Sequence, residues 1–580
     1  MKTKGQFHII RLAGMIGVSA LVLAVSPALA QLDQATGIAD PSRAGDQIKQ
    51  PDMTPEVSPE LKVKQAAPLN APKGSENVKF TLKGVHFSGA TIYSDAELQK
   101  LFAGQIGQTV SVADVYTLAN ELTLKYRNDG YILTQVVVTE NGNGDGTPTL
   151  RVVEGFIQNI TLQKENPDAP INMANIESYA AKISKGGPLN ARDLERELLI
   201  INDLPGITAR SVLSPSSTPG AADMVIILSY DPYDGLLSLD NYGSRFLGPV
   251  QVGASGTLNS MLGQNEAITG QIVMAPQSWY ELGFLSAGYE QPIGPYGTKV
   301  HFSGSVTDTD PGYTLKEFDV EGRSYLLNVG LTHPFIRSRA ENLYGRLNLD
   351  WRRVKSSNNV EETRKDRLTV ARAGGRYEFI DTIFTAAANT IDAEVSKGLG
   401  ILGASDEGDA NMTRDLADPQ FTKLEVEFQR LERITNGVNL LLGARGQLAS
   451  NALLSSEEFA VGGINSGRGY DPSEVTGDHG ISGKVELQWN DPVKFDTNFL
   501  ESYQLFGFWD IGRVWNEDAT TNSQKRDSVA SVGAGVRFDL PYDVDAGFAI
   551  AVPMTRRVAT QDRDGGDRDP KVYFNLSKKF

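Results

Sequence analysis

Residues 481–489, Ile-Ser-Gly-Lys-Val-Glu-Leu-Gln-Trp, alternate between apolar and polar side chains. One parity holds Ile481, Val485, Leu487 and Trp489, and the other holds Lys484, Glu486 and Gln488. Because successive side chains of a strand point to opposite faces, the stretch predicts a β-strand with one apolar face and one charged face. The same alternation recurs over residues 532–540 and 572–580.

A soluble sandwich also alternates in this way, so the pattern alone leaves two fold classes open. From about Gly235 to Phe580, however, the polar face stays charged over many strands. Short turns alternate with long polar loops, and the chain ends inside a strand on phenylalanine. These features are typical of an outer-membrane β-barrel. At about 20 residues per strand with its share of loop, the segment predicts a transmembrane barrel of about 16 antiparallel strands over residues 232–580.

The N-terminus predicts export. Lys2, Lys4 and Arg11 precede or flank an apolar run over residues 12–25, and Ala28-Leu29-Ala30 offers a cleavage site before Gln31. A transmembrane anchor is the alternative, but the apolar run is short for a span of roughly 20 residues. We therefore expect residues 1–30 to be a signal peptide.

Composition excludes several classes of function. The net charge of −16 argues against a nucleic-acid partner, and the absence of cysteine means that nothing depends on a disulfide. The five histidines are scattered without metal-ligand spacing, and neither a G-x-S-x-G elbow nor a phosphate-binding loop ending in Lys-Ser/Thr occurs. We expect neither enzymatic activity nor a bound metal or cofactor.

Residues 31–76 predict a periplasmic linker, because prolines interrupt every candidate helix and no dense apolar face is present. Within it, Pro41 to Gln50 could form about two helical turns, a possible short plug helix, although disorder is the favoured interpretation of this stretch.

Two small α+β modules follow the linker, over residues 77–155 and 156–231. Each predicts a strand, two helices and two further strands. In the first module the predicted elements are a strand over Val78 to Val85, helices from Ser94 and over Val112 to Asp129, and strands over Ile132 to Thr139 and Thr149 to Val153. In the second they are a strand over Ile157 to Leu162, helices over Met173 to Ile183 and Asn190 to Asn202, and strands over Ile207 to Leu213 and Met224 to Tyr230.

Particular segments resemble a known family. They are residues 151–157 between the modules, residues 239–245 at the first barrel strand, Leu331 to Phe335 as a mid-barrel periplasmic turn, and above all Arg468-Gly469-Tyr470 and Phe508-Trp509-Asp510. The chain resembles the TpsB transporters of two-partner secretion, the ShlB/FhaC/HecB-like haemolysin secretion/activation proteins. Their periplasmic modules are called POTRA domains, and the resemblance covers nearly the whole chain after the signal peptide.

The candidate site combines parity with this resemblance. Over residues 503–515, the parity of Leu505, Trp509 and Ile511 predicts a lipid face, which leaves Phe508 and Asp510 facing the lumen. Spacing alone equally allows Arg468 to be a surface-loop residue and Asp510 an ordinary pore-lining acid. The resemblance implies that Arg468-Gly469-Tyr470 lies at the tip of a loop tucked into the barrel, where Arg468 pairs with Asp510. Its implied conformational or transport residues are Arg468, Gly469, Tyr470, Phe508, Asp510 and Gly512, and Phe580 is expected to be a barrel-assembly signal.

The resemblance also implies a function. The chain is expected in the outer membrane of a Gram-negative bacterium, with its POTRA domains in the periplasm, where they recognise a TpsA-type exoprotein of haemolysin or adhesin type. The other expected partners are outer-membrane lipid and the barrel-assembly machinery, and the transporter is expected to be a monomer. Two alternatives stay open, namely a factor that inserts other barrels and a passive porin.

Overall fold

The structure, a computed structural model, describes residues 37–48, 68–139, 146–184, 186–276, 281–490, 499–517, 525–555, 558 and 569–580. The predicted signal peptide and residues 31–36 and 49–67 of the predicted linker lie outside the described residues. The helices are α1 (Pro41–Ile48), α2 (Asp95–Phe102), α3 (Val112–Asn128), α4 (Met173–Ile183) and α5 (Ala191–Asn202). Within these described ranges, no helix combines the length and apolar character needed to cross a membrane.

The first module packs α2 and α3 on short strands. The strands are β1 (Lys79–Thr81), β2 (His86–Ser88), β3 (Thr109–Ser111), β4 (Gln135–Val138) and β5 (Thr149–Val153). Strand β5 lies between β2 and β4, and β1 pairs with β3. Both helices begin at capping boxes, Ser94 with Glu97 and Ser111 with Asp114, which satisfy the first free backbone N–H groups.

The prediction of one strand over Val78 to Val85 is wrong. Within this range the strand is confined to β1 (Lys79–Thr81), and the next strand, β2 (His86–Ser88), begins after it and belongs to a different sheet. Leu82 and Val85 lie three positions apart, and both are buried in the module core. A strand of period two cannot turn both side chains to one face, so the chain leaves the extended ladder between them.

The second module has the predicted order of elements. Its strands are β6 (Phe156–Lys164), β7 (Ile207–Pro215) and β8 (Ala221–Tyr230), with β8 in the centre of the sheet. The apolar faces of α4 and α5 cover this sheet, and Tyr179 and Ile201 are fully buried in the core. Strands β6 and β7 are the two edges.

A closed antiparallel barrel of sixteen strands follows, as the sequence predicts. Its strands are β9 (Tyr233–Asp240), β10 (Gln251–Asn259), β11 (Ala267–Met274), β12 (Leu282–Ile293), β13 (Thr298–Thr309), β14 (Glu321–Arg337), β15 (Glu341–Ser357), β16 (Glu362–Asp381), β17 (Ala387–Gly398), β18 (Thr422–Thr435), β19 (Val438–Ala449), β22 (His479–Asn490), β23 (Ser502–Trp515), β24 (Arg526–Leu540), β25 (Val544–Pro553) and β26 (Lys571–Lys579). Strands β20 (Phe459–Val461) and β21 (Val475–Gly477) form a separate hairpin.

The barrel wall has the predicted alternation. On β22, Ile481, Val485, Leu487 and Trp489 are exposed on the outer face, whereas Glu486 is buried on the lumen side. Water is absent from the hydrocarbon region, so only a closed barrel can satisfy the backbone groups of such strands. Strand β26 pairs with β9 and closes the ring.

The family-like segment Leu331 to Phe335 is not a turn. Strand β14 runs on to Arg337, with an irregularity in its register between Pro334 and Ile336. Proline cannot donate a ladder hydrogen bond, and a bulge is a position where this missing bond is tolerated. The strand therefore continues past Pro334. The turn to β15 follows at residues 338–340.

Of the two alternatives for Pro41 to Gln50, the structure has the helix, over Pro41–Ile48. Proline is tolerated at the first helical position because its missing N–H would be unpaired there in any case. Asp40 caps the helix by accepting the backbone N–H of Ser42 (2.8 Å). The helix lies against β13 and β14 inside the barrel, and this burial stabilises a segment too short to be helical alone.

The second module is fixed to the periplasmic rim of the barrel. Asp203, at the end of α5, accepts two hydrogen bonds from the guanidinium of Arg337 on β14 (2.8 and 2.6 Å). Asn172 and Asn265 exchange two further hydrogen bonds across the same boundary (2.8 and 3.1 Å). Because such bidentate contacts fix orientation as well as distance, the module sits over one side of the barrel mouth.

Candidate functional site

The loop between β19 and β22, residues 450–478, enters the lumen from the extracellular side, and we call it the inward loop. It contains a short 3-10 turn (Ser455–Glu457) and the β20–β21 hairpin. Phe459, Val461 and Val475 of the hairpin pack with Val514 and Val529 on the wall. This apolar contact holds the hairpin against β23 and β24, so that residues 462–474 reach down along the wall.

Arg468, near the turn of this loop, is buried against Asp510 on β23. The carboxylate of Asp510 accepts hydrogen bonds from Nε (2.9 Å), Nη2 (2.8 Å) and the backbone N–H (3.0 Å) of Arg468. Arg468 is 5% exposed and Asp510 1%. Burial alone would lower the pKa of the Arg468 guanidinium, but Asp510 and Glu486 raise it above its usual value. The structure thus brings together the two residues whose pairing the resemblance implies.

A second carboxylate, which the sequence reasoning missed, completes the contact. Nη1 of Arg468 donates to Glu486 on β22 (2.5 Å), and Arg537 on β24 donates to the other oxygen of the same carboxylate (2.9 Å). The two cations, Arg468 and Arg537, therefore alternate with the two anions, Asp510 and Glu486, in one network. The network joins the inward loop to the three neighbouring strands β22, β23 and β24. The parity of 481–489 already places Glu486 on the lumen face, and that is the signal that could have identified it.

Aromatic side chains enclose the tip. The Arg468 guanidinium lies over the Phe508 ring, with 3.4 Å from its central carbon to the ring centroid. The Tyr470 hydroxyl contacts that of Thr555 (2.5 Å), and Tyr573 on β26 donates to the carbonyl of Arg468 (2.6 Å). Tyr573 is a further residue that no local pattern indicated. Together with the contact to Glu486 on β22, these contacts hold the tip to strands on both sides of Asp510.

Three glycines allow the loop to lie this close to the wall. Gly467 has φ +103°, a conformation that L side chains rarely adopt. A Cβ on Gly469 would lie 2.8 Å from the Cβ of Ser531, and a Cβ on Gly512 would lie 2.5 Å from Val461. Gly469 and Gly512 thus leave space for loop and wall to touch.

The resemblance implies a role in secretion, and replacing Gly469 with alanine is then expected to reduce secretion several-fold, because the added methyl group would push the tip away from Ser531. Gly270→Ala is the matched control, since a Cβ at this barrel-strand glycine meets nothing within 4 Å. Both variants are compared by client protein in the medium per unit of transporter in the outer membrane. Equal secretion by the two variants would show that close contact at Gly469 is not required.

Helix α1 fills the lumen beside the inward loop. Ile38 packs with Phe246 and Leu315, and Ala44 packs with Leu282 on the wall. Asp40 forms an ion pair with Arg364 on β16 (2.8 Å). Burial alone would raise the pKa of Asp40, but the charges of Arg364 and Arg43 and nearby hydroxyls hold it below its usual value. The Asp40 carboxylate is therefore stable as an anion although it is buried.

Two cavities remain in the lumen around α1. One, of about 880 Å³, is lined by Arg43, Gln47, the inward loop and the charged inner face of β15 to β19. The other, of about 460 Å³, is lined mainly by Gly, Ser, Thr and Ala of β9 to β14. The helix and the inward loop therefore occupy space that would otherwise join these cavities into a wider channel.

Phe580 lies at the periplasmic end of the barrel seam. Its backbone N–H donates to the carbonyl of Gly235 on β9 (3.0 Å), and Gly235 donates back (3.3 Å). The Phe580 ring is 59% exposed. The residue thus extends the β9–β26 pairing and leaves its side chain accessible.

Family models match both parts of the chain. A model described as haemolysin secretion/activation protein ShlB/FhaC/HecB matches residues 228–538. A model described as POTRA domain, ShlB-type, matches residues 80–155.

Relatives match most of this chain and most of their own length. The heme/hemopexin transporter protein HuxB of Haemophilus influenzae (strain 86-028NP) is 23% identical over 91% of this chain and 94% of its own length. The outer membrane transporter CdiB of Dickeya dadantii (strain 3937) is 22% identical over 84% of this chain and 86% of its own length.

Solved structures are similar in fold. CdiB from Escherichia coli superposes with a TM-score of 0.70 at 21% identity and covers 96% of this chain and 99% of its own. BamA from Haemophilus ducreyi lacking POTRA domains 1–3 has a TM-score of 0.51 at 13% identity, over 86% of this chain and 100% of its own.

Proposed function

Because the chain belongs to the ShlB/FhaC/HecB family of haemolysin secretion/activation proteins, an outer-membrane transporter family with periplasmic POTRA domains, we propose how it exports its partner. The client is one large, β-rich exoprotein of the TpsA type. It binds the POTRA domains in an extended form and threads through the barrel once α1 and the inward loop have moved. Without nucleotide in the periplasm, folding outside the cell supplies the driving force.

The observation that supports this proposal is a wide barrel whose lumen is occupied by two elements, α1 and the inward loop, neither of which belongs to the barrel wall. Polar contacts dominate the attachment of α1, including Asp40 to Arg364 and Gln47 to Ser473 (3.2 Å). Water or a client can replace such contacts at modest cost, because hydrogen bonds are exchanged rather than lost. The inward loop is held by Arg468, whose contacts are likewise polar.

The two alternatives make different predictions. A passive porin needs an open lumen, whereas α1 and the inward loop occupy this one. The likeness to BamA concerns the fold alone. Co-expression with the exoprotein encoded by a neighbouring gene is the test, and we expect that exoprotein in the medium only when the transporter is present. Sugar uptake without exoprotein would favour the porin, and loss of other barrels on deletion would favour an assembly factor.

The edge strand β7 is the part of the POTRA domains that best fits an extended client. It pairs with β8 on one side, and Val212 and Leu213 on it are exposed. An extended chain can add to such an edge through backbone hydrogen bonds, with side-chain contacts setting specificity. We propose that the client docks there as an additional strand.

A charge on this edge is expected to weaken client binding. Val212→Asp should lower the affinity about tenfold, equivalent to about 1.4 kcal/mol, because an apolar contact is lost and a carboxylate is desolvated. Val78→Asp is the matched control, since Val78 is 58% exposed and Val212 53%, and Val78 lies outside the strands. The client affinity of each variant is measured by titrating the detergent-solubilised transporter with the N-terminal segment of the client. Equal affinities would exclude the β7 edge as the docking site.

The proposal includes further partners. Tyr296, Phe384 and Tyr542, exposed at periplasmic turns, fit contact with the lipid interface. Phe580, accessible at the seam, fits recognition by the barrel-assembly machinery. One closed barrel forms the complete lumen, so we propose that the transporter acts as a monomer. We further propose that the inward loop is held in a conformation that transport requires by Arg468, Gly469, Tyr470, Phe508, Asp510 and Gly512.

A further inference from the structure

The base of the inward loop is attached to a different sector of the wall from its tip. Glu457, 2% exposed, accepts hydrogen bonds from Nη2 (2.8 Å) and Nη1 (3.2 Å) of Arg372 on β16. Lys423 on β18 forms an ion pair with the same carboxylate (3.0 Å). We call Arg372, Lys423 and Glu457 the base anchor. Its bidentate fork fixes both the position and the orientation of the 3-10 turn.

The wall holds the cations of this anchor in place before the loop reaches them. Nε of Arg372 donates to Asp350 on β15 (2.7 Å), and its Nη1 donates to Ser396 on β17 (2.8 Å). Lys423 forms an ion pair with Glu425 on its own strand, β18 (3.1 Å). The guanidinium is therefore oriented by the wall, and the loop turn is positioned by the guanidinium.

Helix α1 binds the same turn from the other side. The Ser455 hydroxyl donates to Asp40 (2.6 Å), and Arg43 donates to the carbonyls of Ser455 and Glu458 (2.8 Å for the latter). Residues 455–458 thus lie between the base anchor and α1. The base anchor does not touch α1, yet it fixes the backbone carbonyls that α1 recognises.

We infer that Arg372, Lys423 and Glu457 are positioning residues that link the docking of α1 to the docking of the inward loop. The inference deepens the proposed function and rests on its view that α1 closes the lumen. Residues 455–458 bind α1 when the base anchor holds them against the wall. They bind α1 poorly when the base anchor is broken. Because such linkage is reciprocal, removal of α1 weakens the base of the loop by the same factor. Withdrawal of one closing element then favours withdrawal of the other.

The test measures how often α1 leaves its site in the purified transporter, with no client present. Ala44 on α1 is 1% exposed and packs on the wall rather than on the inward loop. The chain has no cysteine, so Ala44→Cys provides a single thiol that a maleimide reaches only when α1 undocks. Arg372→Gln and Glu457→Gln are each expected to raise the labelling rate at least about tenfold. The double variant should label no faster than the faster single variant, because both changes remove one interaction.

The controls separate this linkage from general loosening. Arg346→Gln removes a luminal bidentate pair with Asp392 (2.7 and 2.6 Å) and should leave the labelling rate unchanged. Lys423→Gln is a milder change at the base anchor and should give a smaller increase in the labelling rate. It takes the place of Arg372→Gln in the test if that variant fails to insert into the membrane. Labelling at the parent rate in the anchor variants, or an equal increase in Arg346→Gln, would overturn the inference. Since no client takes part, neither result bears on whether the chain secretes one.

Discussion

Arg468→Ala is expected to lower secretion at least about tenfold while the barrel still reaches the outer membrane. The change removes the guanidinium that both buried carboxylates share, so Asp510 loses its fork and Glu486 keeps its contact with Arg537. Breaking a buried ion pair by removing one partner costs about 3–5 kcal/mol. That cost falls on the docked loop and not on the strands, whose backbone ladder is untouched.

The measurement compares client in the medium with the amount of heat-modifiable, folded barrel in the membrane. Arg433→Ala is the matched control, since Arg433 is an exposed arginine on β18 that contacts Asn436. Asp510→Asn should show the same loss as Arg468→Ala, because the amide cannot replace the carboxylate fork. Full secretion by both single variants would contradict a role for the pair in transport.

A disulfide between the segment that leads into α1 and the inward loop is expected to block secretion until it is reduced. An ideal Cβ on Gly37 would lie 2.9 Å from Cγ2 of Thr476, so cysteines at these two positions come within disulfide reach. The chain has no other cysteine with which they could pair. When oxidised, the pair should hold α1 beside β21 and keep the lumen closed.

Secretion by the Gly37→Cys, Thr476→Cys variant is followed before and after addition of a reductant. We expect release near background under oxidising conditions and recovery on reduction, whereas each single-cysteine variant should be insensitive to oxidant. If the fully oxidised double variant secreted at the parent rate, α1 would not need to leave the loop for transport.

Local patterns in the sequence predict the elements of this fold well. The alternation in residues 481–489 predicts both β22 and the lumen position of Glu486, and Ser94 marks the start of α2. The strand predicted over Val78 to Val85 is an exception. Leu82 and Val85 are both buried in the module core, and a regular strand would turn these two side chains to opposite faces.

Contacts between distant segments could not be predicted in this way. Asp40 and Ser455 lie 415 positions apart, and Tyr573 lies 105 positions from Arg468. No periodicity relates such residues, because the curvature of the barrel and the path of the inward loop bring them together. The helix at Pro41–Ile48 depends on these contacts, so the proline-rich segment around it indicated disorder when the sequence was considered alone.

The central claim is that the client passes through the lumen of this barrel, and crosslinking on β13 tests it most directly. Ser303 lines both luminal cavities, and its neighbour Phe302 is 49% exposed on the outer face. Single cysteines at the two positions are treated with a thiol-to-amine crosslinker in cells arrested during secretion. We expect a client adduct with Ser303→Cys and none with Phe302→Cys. Continued secretion with no adduct at Ser303→Cys, or equal adducts at both positions, would contradict this claim.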